Sequence, residues 1–175
     1  YIWKASLTKR ETTELKSSVG GEARRNLRIL LINVEAFATK KIFKFLDTFT
    51  HRSNFLIAVD ESTTIKNIKA KRTKALIKFA EGAKYKRILT GAPITKSPLD
   101  LYSQCLFMSK KILGFDSYWS FQGRYAVIKS MKMGSHSFNQ VVGYKNLDEL
   151  QKKIDPHSYR VTKEEALDLP PKTYV

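Results

Sequence analysis

At 175 residues, 42% hydrophobic and 11% aromatic, the chain has apolar side chains enough for one compact domain, or most of one. Thirty-two Lys and Arg against sixteen Asp and Glu leave a net charge of +16, which favours a polyanionic partner through attraction and counterion release. No apolar run approaches the roughly 20 residues of a membrane span, and a single cysteine excludes both an intramolecular disulfide and a Cys-rich zinc site.

The opening Tyr1-Ile2-Trp3-Lys4 has neither an initiator Met nor an apolar signal-peptide core, and reads as a cut through a longer protein. Residues 27–32 are expected to form a buried strand. Ile42, Phe45, Leu46 and Phe49 then fall at i, i+3, i+4 and i+7, the stripe of an amphipathic helix. Residues 55–59 make a second apolar strand, which stops at Asp60-Glu61. A helix over 70–80 is expected to bury Ala75, Leu76, Phe79 and Ala80, and a short strand over 87–90 runs into Gly91-Ala92-Pro93. Strands alternating with helices in this way predict an α/β fold with a parallel sheet covered on both faces.

The next helix has a legible start. Ser97 suits the cap, Pro98 the first turn, and Asp100 the acidic position of a capping box, with Leu99, Tyr102 and Leu106 facing inward. Cys105 lies beside Leu106, Phe107 and Met108 and reads as a buried thiol. His51, His136 and His157 are too far apart in sequence to show a local metal-ligand spacing. An intracellular, reducing setting is therefore expected.

Composition changes after Lys110. Residues 115–125 are rich in aromatics, and 131–144 carry Gly, Ser and a short β-like Val141-Val142. Asn146 with Glu149, and Thr162 with Glu165, repeat the capping-box spacing before two short helices, the last ended by Pro170-Pro171. The expected division is a core over 1–109, a mainly helical and aromatic protrusion over 110–165, and a closing linker over 166–175.

Ligands of open α/β sheets bind beyond the carboxyl ends of the strands. Asp60-Glu61 sits at such an end, where paired acids must reach solvent or a ligand. One carboxylate can hold a magnesium ion through water while its neighbour deprotonates an attacking water. The same pair also suits an acidic cap at a strand-to-helix turn, and the two residues alone do not decide between these.

Their surroundings add more. The run Val59-Asp60-Glu61-Ser62-Thr63-Thr64-Ile65-Lys66-Asn67 is followed about thirty residues on by Ile88-Leu89-Thr90-Gly91-Ala92-Pro93-Ile94 and then Leu99-Asp100-Leu101-Tyr102. This order resembles the Swi/Snf-type ATPases of the DEAD/DEAH-related helicase superfamily two. Their motif two reads D-E-x-H then I-K-N, and their motif three, L-T-G-T-P, leads into a D/E-L-Y helix. Arg160-Val161-Thr162-Lys163-Glu164-Glu165 with Leu169-Pro170-Pro171-Lys172 resembles the family's R-x-x-K-E…L-P-P-K stretch at the end of the first lobe. Leu31-Ile32-Asn33-Val34-Glu35-Ala36-Phe37 holds the place of motif one-b. The likeness covers residues 27–175, and the D-E-S-x-x-I-K-N form is similar to bacteriophage-encoded relatives.

The resemblance implies a partial RecA-like first motor lobe, ATP and Mg2+ as cofactors, and duplex DNA as partner. Asp60 becomes the magnesium-organising acid and Glu61 the water-activating base. Thr63, Thr90, Gly91 and Ala92 belong to the elements that couple nucleotide state to movement on DNA. Lys66 and Asn67 are candidates to lie near DNA, or else to fix a turn; Asn33, Glu35 and Thr39 are candidates to approach one DNA strand. Arg124 and Arg160 are candidates to steady the protruding region or to touch phosphate, with surface salt bridges as the alternative. For a phage-like relative the implied location is the cytoplasm of a prokaryotic host.

Two departures bear on coupling. The family's His in motif two is Thr63, and the second Thr of motif three is Ala92, which has no side-chain hydrogen-bonding group. Either the hydroxyls of Thr63, Thr64 and Thr90 are the substitutes, or coupling is weak. Within the 175 residues there is also no G-x-x-x-x-G-K followed by Ser or Thr; Gly20-Gly21-Glu22 does not qualify. The P-loop segment and a second lobe are expected elsewhere in the same or another chain, and the isolated chain is expected to be inactive. The rival readings are a non-catalytic basic nucleic-acid-binding module that keeps the motor fold, and an unrelated α/β hydrolase using Asp60, for which no nucleophile–base pair is visible.

Overall fold

Two separate sets of apolar side chains, one early and one late in the chain, organise the fold, and a single helix contributes to both. The computed structural model describes residues 27, 29–50, 54–134, 136–162 and 165. A 3-10 turn, Val34–Ala38, starts at Asn33, whose side-chain oxygen accepts from Glu35 N at 3.1 Å, and it delivers Ala36 and Phe37 to the interior. Helix α1, Lys41–Thr50, buries Ile42 and Leu46 as the i, i+4 spacing predicts, while the Phe49 side chain lies outside the described residues.

Strands β1, Leu56–Val59, and β2, Tyr85–Ile88, pair in parallel, with Leu56 opposite Tyr85 and Val59 opposite Ile88. Helix α2, Lys71–Ala80, lies between them in sequence and buries Thr73, Leu76 and Ala80. The second strand begins two residues earlier than its apolar pattern indicates, where Lys84 N and Tyr85 N both donate to Phe55 O (3.1 and 3.4 Å). Sheet coverage is uneven: Val59 is buried, whereas Leu56 and Ala58 remain exposed.

Among the described residues of 27–32, the expected buried strand does not form. Only Leu31 makes a bridge, and Leu27, Ile29 and Leu31 are 88%, 64% and 60% exposed. Leu30 and Ile32 instead pack against the first core. The alternation explains the difference, because a segment covered on one side needs apolar residues only at every second position, and here the outward ones are apolar too.

The first core gathers Phe37, Ile42, Leu46, Val59, Ile65, Leu76 and Phe107. The second is aromatic and lies around helix α3, Leu101–Met108, which buries six of its eight residues. Its entry is the predicted capping box: Ser97 Oγ accepts from Leu99 N, and the Asp100 carboxylate accepts from Ser97 N. Tyr102 and Cys105 of α3 join Leu113, Phe121, Tyr125 and Leu150 in the second core, while Phe107 reaches back into the first. The Phe121 ring lies 5.3 Å from Tyr102 and 4.9 Å from Tyr125, tilted against each.

Three further helices follow: α4, Lys110–Leu113; α5, Tyr118–Tyr125; and α6, Leu147–Ile154. Gly114 ends α4 at φ 72, a left-handed conformation that a side chain would strain. Between α5 and α6 an antiparallel hairpin is formed by β3, Ala126–Met133, and β4, His136–Tyr144. Val141-Val142 was its sole sequence signal, so the extent of strand in the protrusion exceeds what the residues suggested.

The two late capping boxes diverge. Thr162 N donates to Glu165 Oε2 at 2.7 Å and Glu165 N to Thr162 Oγ at 3.3 Å, the reciprocal pair expected. Asn146 instead adopts φ 56 with no side-chain cap. Its amide donates to Arg124 O at 2.9 Å, and Glu149 accepts from Arg124 Nε (3.0 Å) and Tyr125 OH (2.9 Å). Tertiary partners have taken both side chains that the local motif needs. Lys163, Glu164, Leu169 and Pro170-Pro171-Lys172 lie outside the described residues, as does Gly20-Gly21.

Two outcomes test this packing. Phe107 is fully buried, so Phe107→Ala should lower unfolding free energy by about 3–5 kcal/mol in urea titrations. Asp100 is desolvated, which raises its pKa, but hydrogen bonds from Lys96 N, the Thr95 hydroxyl, Thr95 N and Ser97 N outweigh this and hold it below the usual carboxylate value. A lowered folded pKa gives stability that is complete above the unfolded pKa and lost as pH falls through the folded one. Asp100→Asn should therefore cost about 1 kcal/mol at neutral pH, and its deficit against wild type should shrink below roughly pH 4.

Candidate functional site

Parallel pairing brings the two suspect strand ends together. Leu89 N donates to Val59 O at 2.9 Å, and Ser62 N donates back to Leu89 O at 3.0 Å. The peptide after β2 is thereby clasped on both sides by the turn after β1. Asp60-Glu61 and Thr90-Gly91 emerge side by side at the carboxyl ends of parallel strands, as the sequence predicts. Asp60, Glu61 and Gly91 are exposed and Thr90 is half-buried.

Glu61 departs from ordinary backbone geometry. Its φ of 47 and ψ of 60 lie in the left-handed region, which costs an L-residue about 1–2 kcal/mol. Glu61 N donates to Asp60 Oδ1 at 3.0 Å, and Glu61 O accepts from Thr64 N at 2.9 Å. These bonds fix the backbone around a carboxylate that stays in solvent, and strain of this kind concentrates at functional sites.

A buried bridge runs beneath these turns. Ser62 and Gln104 are both 0% exposed, and the Ser62 hydroxyl donates to Gln104 Oε1 at 2.6 Å. Gln104 Nε2 donates to Pro93 O and Asp100 O, each at 2.8 Å. The adjacent Ser103 hydroxyl donates to Ile65 O at 2.7 Å. Helix α3 is thus bonded to the segment after β1 through Ser62 and Ile65, and to the segment after β2 through Pro93.

The hydroxyls of Thr64 and Thr90 do not make this link. Thr90 Oγ accepts from Ala92 N at 3.2 Å within its own loop, and Thr64 Oγ is buried with no hydrogen-bond partner. Thr63 is half-buried, and its backbone oxygen accepts from Lys66 N at 3.3 Å. Sequence reasoning missed Gln104. Its signal was present, since Ser103-Gln104 interrupts an apolar helix that has no polar face.

The remaining candidates hold turns. Lys66 Nζ bonds to the Thr95 hydroxyl and lies 3.9 Å from Asp100 Oδ2. Asn67 Oδ1 accepts from Lys69 N at 2.9 Å. Thr39 donates its hydroxyl to Ala36 O at 2.8 Å, closing the turn that Asn33 opens. Arg72 reaches both Glu35 Oε1 (3.4 Å) and Thr64 O (3.2 Å), so the turn at Val34–Ala38 is tied to the turn after β1. Arg124 pairs with Glu149, and Arg160 is exposed. Asn33, Thr39, Lys66 and Asn67 thus each have a hydrogen-bonding partner that steadies a loop.

Among the described residues no three His, Cys, Asp or Glu side chains form a metal cluster. One exposed carboxylate at a strand end nevertheless fits a magnesium ion, which retains several waters and takes its other ligands from phosphates. Asp60 has that chemistry, with Oδ1 committed to Glu61 N. Burial pushes the Cys105 thiol up to about 12, so it is no nucleophile. Among the described residues no helix is long and apolar enough to cross a membrane.

Comparison with known proteins matches this arrangement to one family. A sequence-family model described as "SNF2-related domain" matches residues 8–175. TATA-binding protein-associated factor 172 of Homo sapiens is 34% identical over 115 residues, 65% of this chain and 6% of that protein. TATA-binding protein-associated factor MOT1 of Saccharomyces cerevisiae is 36% identical over 117 residues, again 65% of this chain and 6% of the relative. The chain thus spans about 6% of the length of these relatives. Among solved structures, the Sulfolobus solfataricus SWI2/SNF2 ATPase core in complex with dsDNA aligns with 97% of this chain and 35% of its own, at TM-score 0.56 and 25% identity. The α/β arrangement around β1 and β2 is accordingly RecA-like, and the chain belongs to the SNF2-related domain family of Swi/Snf-type helicase-like ATPases.

Proposed function

We propose that this chain supplies motifs two and three of an ATP-driven motor that moves on double-stranded DNA. The observation that carries the reading is the two-sided clasp of Leu89 by Val59 and Ser62, which sets Asp60-Glu61 against Thr90-Gly91. Asp60 would hold magnesium through water; when bound, the ion neutralises charge on the nucleotide's phosphates. The Glu61 carboxylate orients a water and accepts its proton as it attacks. Family membership, the net charge of +16 and a structural neighbour solved with dsDNA all favour a nucleotide-using, DNA-associated role.

Coupling falls to Ser62 and Gln104. Any shift of the turn bearing Glu61 moves Ser62, and Gln104 carries that movement to Pro93 at the end of motif three. Ala92 can then lack a hydroxyl without breaking the connection. Gly91 adds support, because a Cβ there would meet nothing within 4 Å. Nothing in the fold requires glycine at that position, which leaves room for close approach of a ligand to the backbone.

In the intact protein, Glu61→Gln should lower DNA-stimulated ATP hydrolysis by about 10²–10⁴-fold while nucleotide and DNA binding persist. A wild-type protein that binds DNA and hydrolyses no ATP would favour the non-catalytic module instead. Gln104→Leu keeps the side chain's size but leaves the Ser62 hydroxyl and Pro93 carbonyl without a partner. It should cost about 1–3 kcal/mol of stability and bring the DNA-stimulated rate down towards the DNA-free rate, with that DNA-free rate retained.

A further inference from the structure

The hairpin of β3 and β4 takes no part in the site described above. Beyond Ala126 every residue of β3 is exposed, and β4 is exposed along most of its length. Two strands alone are marginally stable in water, and such ribbons need a covered face. This one places apolar side chains where nothing covers them.

Register fixes which residues share a face. Met131 lies opposite Phe138, Met133 opposite His136, and Lys129 opposite Gln140. One face therefore presents Lys129, Met131, Met133, His136, Phe138 and Gln140, with Met133 74%, Phe138 47% and Met131 42% exposed. Lys132 stands on the other face opposite Ser137. Gly134, at φ 62, enters the connecting turn. The register steps from Gly143 to Val141 between Val127 and Ile128, so Val142 is the extra residue of a bulge near the base.

Charge selects the occupant. Between Asp116 and Asp148 the sequence holds no acidic residue, and the hairpin region carries Lys129, Lys132 and Lys145. Among the described residues none of these three lysines forms an ion pair. Arg124, at the base, is already paired with Glu149. The surface thus combines uncompensated positive charge with a strip of flexible apolar side chains. A phosphate-bearing polymer with flat apolar edges satisfies both, and the major groove of B-DNA admits a two-stranded ribbon.

We propose that the β3–β4 hairpin is a second DNA-contacting element, with Lys129 and Lys132 on backbone phosphates and Met131, Met133 and Phe138 against base or sugar edges of the duplex. Eight residues of strand extend about 27 Å, the length of roughly eight base pairs. The inference rests on the duplex-DNA reading of the preceding subsection, and it adds a footprint away from the motif-bearing strand ends.

The test is fluorescence anisotropy of the intact protein with a mixed-sequence duplex over a range of salt concentrations. Lys129→Gln combined with Lys132→Gln should reduce the slope of log K against log salt by about 2, close to one per phosphate contact. Met131→Ser combined with Phe138→Ser should weaken binding roughly fivefold at every salt concentration and leave the slope unchanged. All four residues are exposed, and unchanged circular dichroism and thermal midpoint would verify that folding is intact. If wild type binds and both variants bind identically to it, the hairpin inference fails and the duplex-DNA reading survives. Wild type that binds no duplex even at low salt overturns both. Variants that lose binding to phosphatidylserine vesicles while keeping wild-type DNA affinity would assign the hairpin to a membrane surface and overturn the proposal.

Discussion

The Gln104 carboxamide is buried on a helix with no solvent face, and each of its polar atoms must find a partner inside the protein. An unbonded amide at such depth costs several kcal/mol, which makes its placement close to obligatory. Oε1 takes the Ser62 hydroxyl, and Nε2 divides its two hydrogens between Pro93 O and Asp100 O. Two of those partners belong to turns that leave different strands. Saturating one side chain therefore fixes the distance between the loops that carry Asp60-Glu61 and Thr90-Gly91.

The helix that carries Gln104 is itself held from both ends of the molecule. Phe107 anchors it in the core shared by α1, α2 and β1, while Leu101, Tyr102 and Cys105 anchor it in the aromatic core built by α4, α5 and α6. Tyr102 packs edge-on to Tyr118 at 5.5 Å and tilted against Phe121 at 5.3 Å. Displacing α5 would shift Tyr102, and with it the turn of helix that bears Gln104. The aromatic core around α5 thus packs directly on the helix that bonds the strand-end loops.

What the sequence revealed was mostly local. The period of Ile42 and Leu46, the stop of an apolar run at Asp60, and the Ser97-Pro98-Asp100 start each depend on neighbours within a few positions, and the structure contains all three. Readings that depended on remote partners fared differently. Residues 27–32 looked like a buried strand because apolar content alone does not say which face is covered. Asn146 and Glu149 had the spacing of a capping box, but Arg124 and Tyr125 from another helix claimed them. At the site, the strand-end acids were legible, whereas Ser62–Gln104 was not, since 42 residues separate two polar groups that meet only after folding. Beyond Val141-Val142 the hairpin carries little strand signal because its faces are mixed; alternation with a single buried side, the usual strand signal, is missing when neither side is buried.

Glu61 shows what these restraints accomplish together. A residue with a side chain is unfavourable at φ 47, and glycine or asparagine would adopt that conformation with less strain. Its neighbours leave little alternative: Asp60 bonds its N–H, Thr64 bonds its carbonyl, and Ser62 is bonded to Leu89 through the backbone and to Gln104 through the hydroxyl. A turn so fully specified fixes the backbone from which the side chain leaves, while the exposed carboxylate stays free for solvent or ligand. For the role proposed for Glu61, the restraint sets where the side chain starts and leaves its oxygens unencumbered. The buried amide link through Gln104 makes no hydrogen bond to the Glu61 carboxylate, so it does not compete with the chemistry proposed for it.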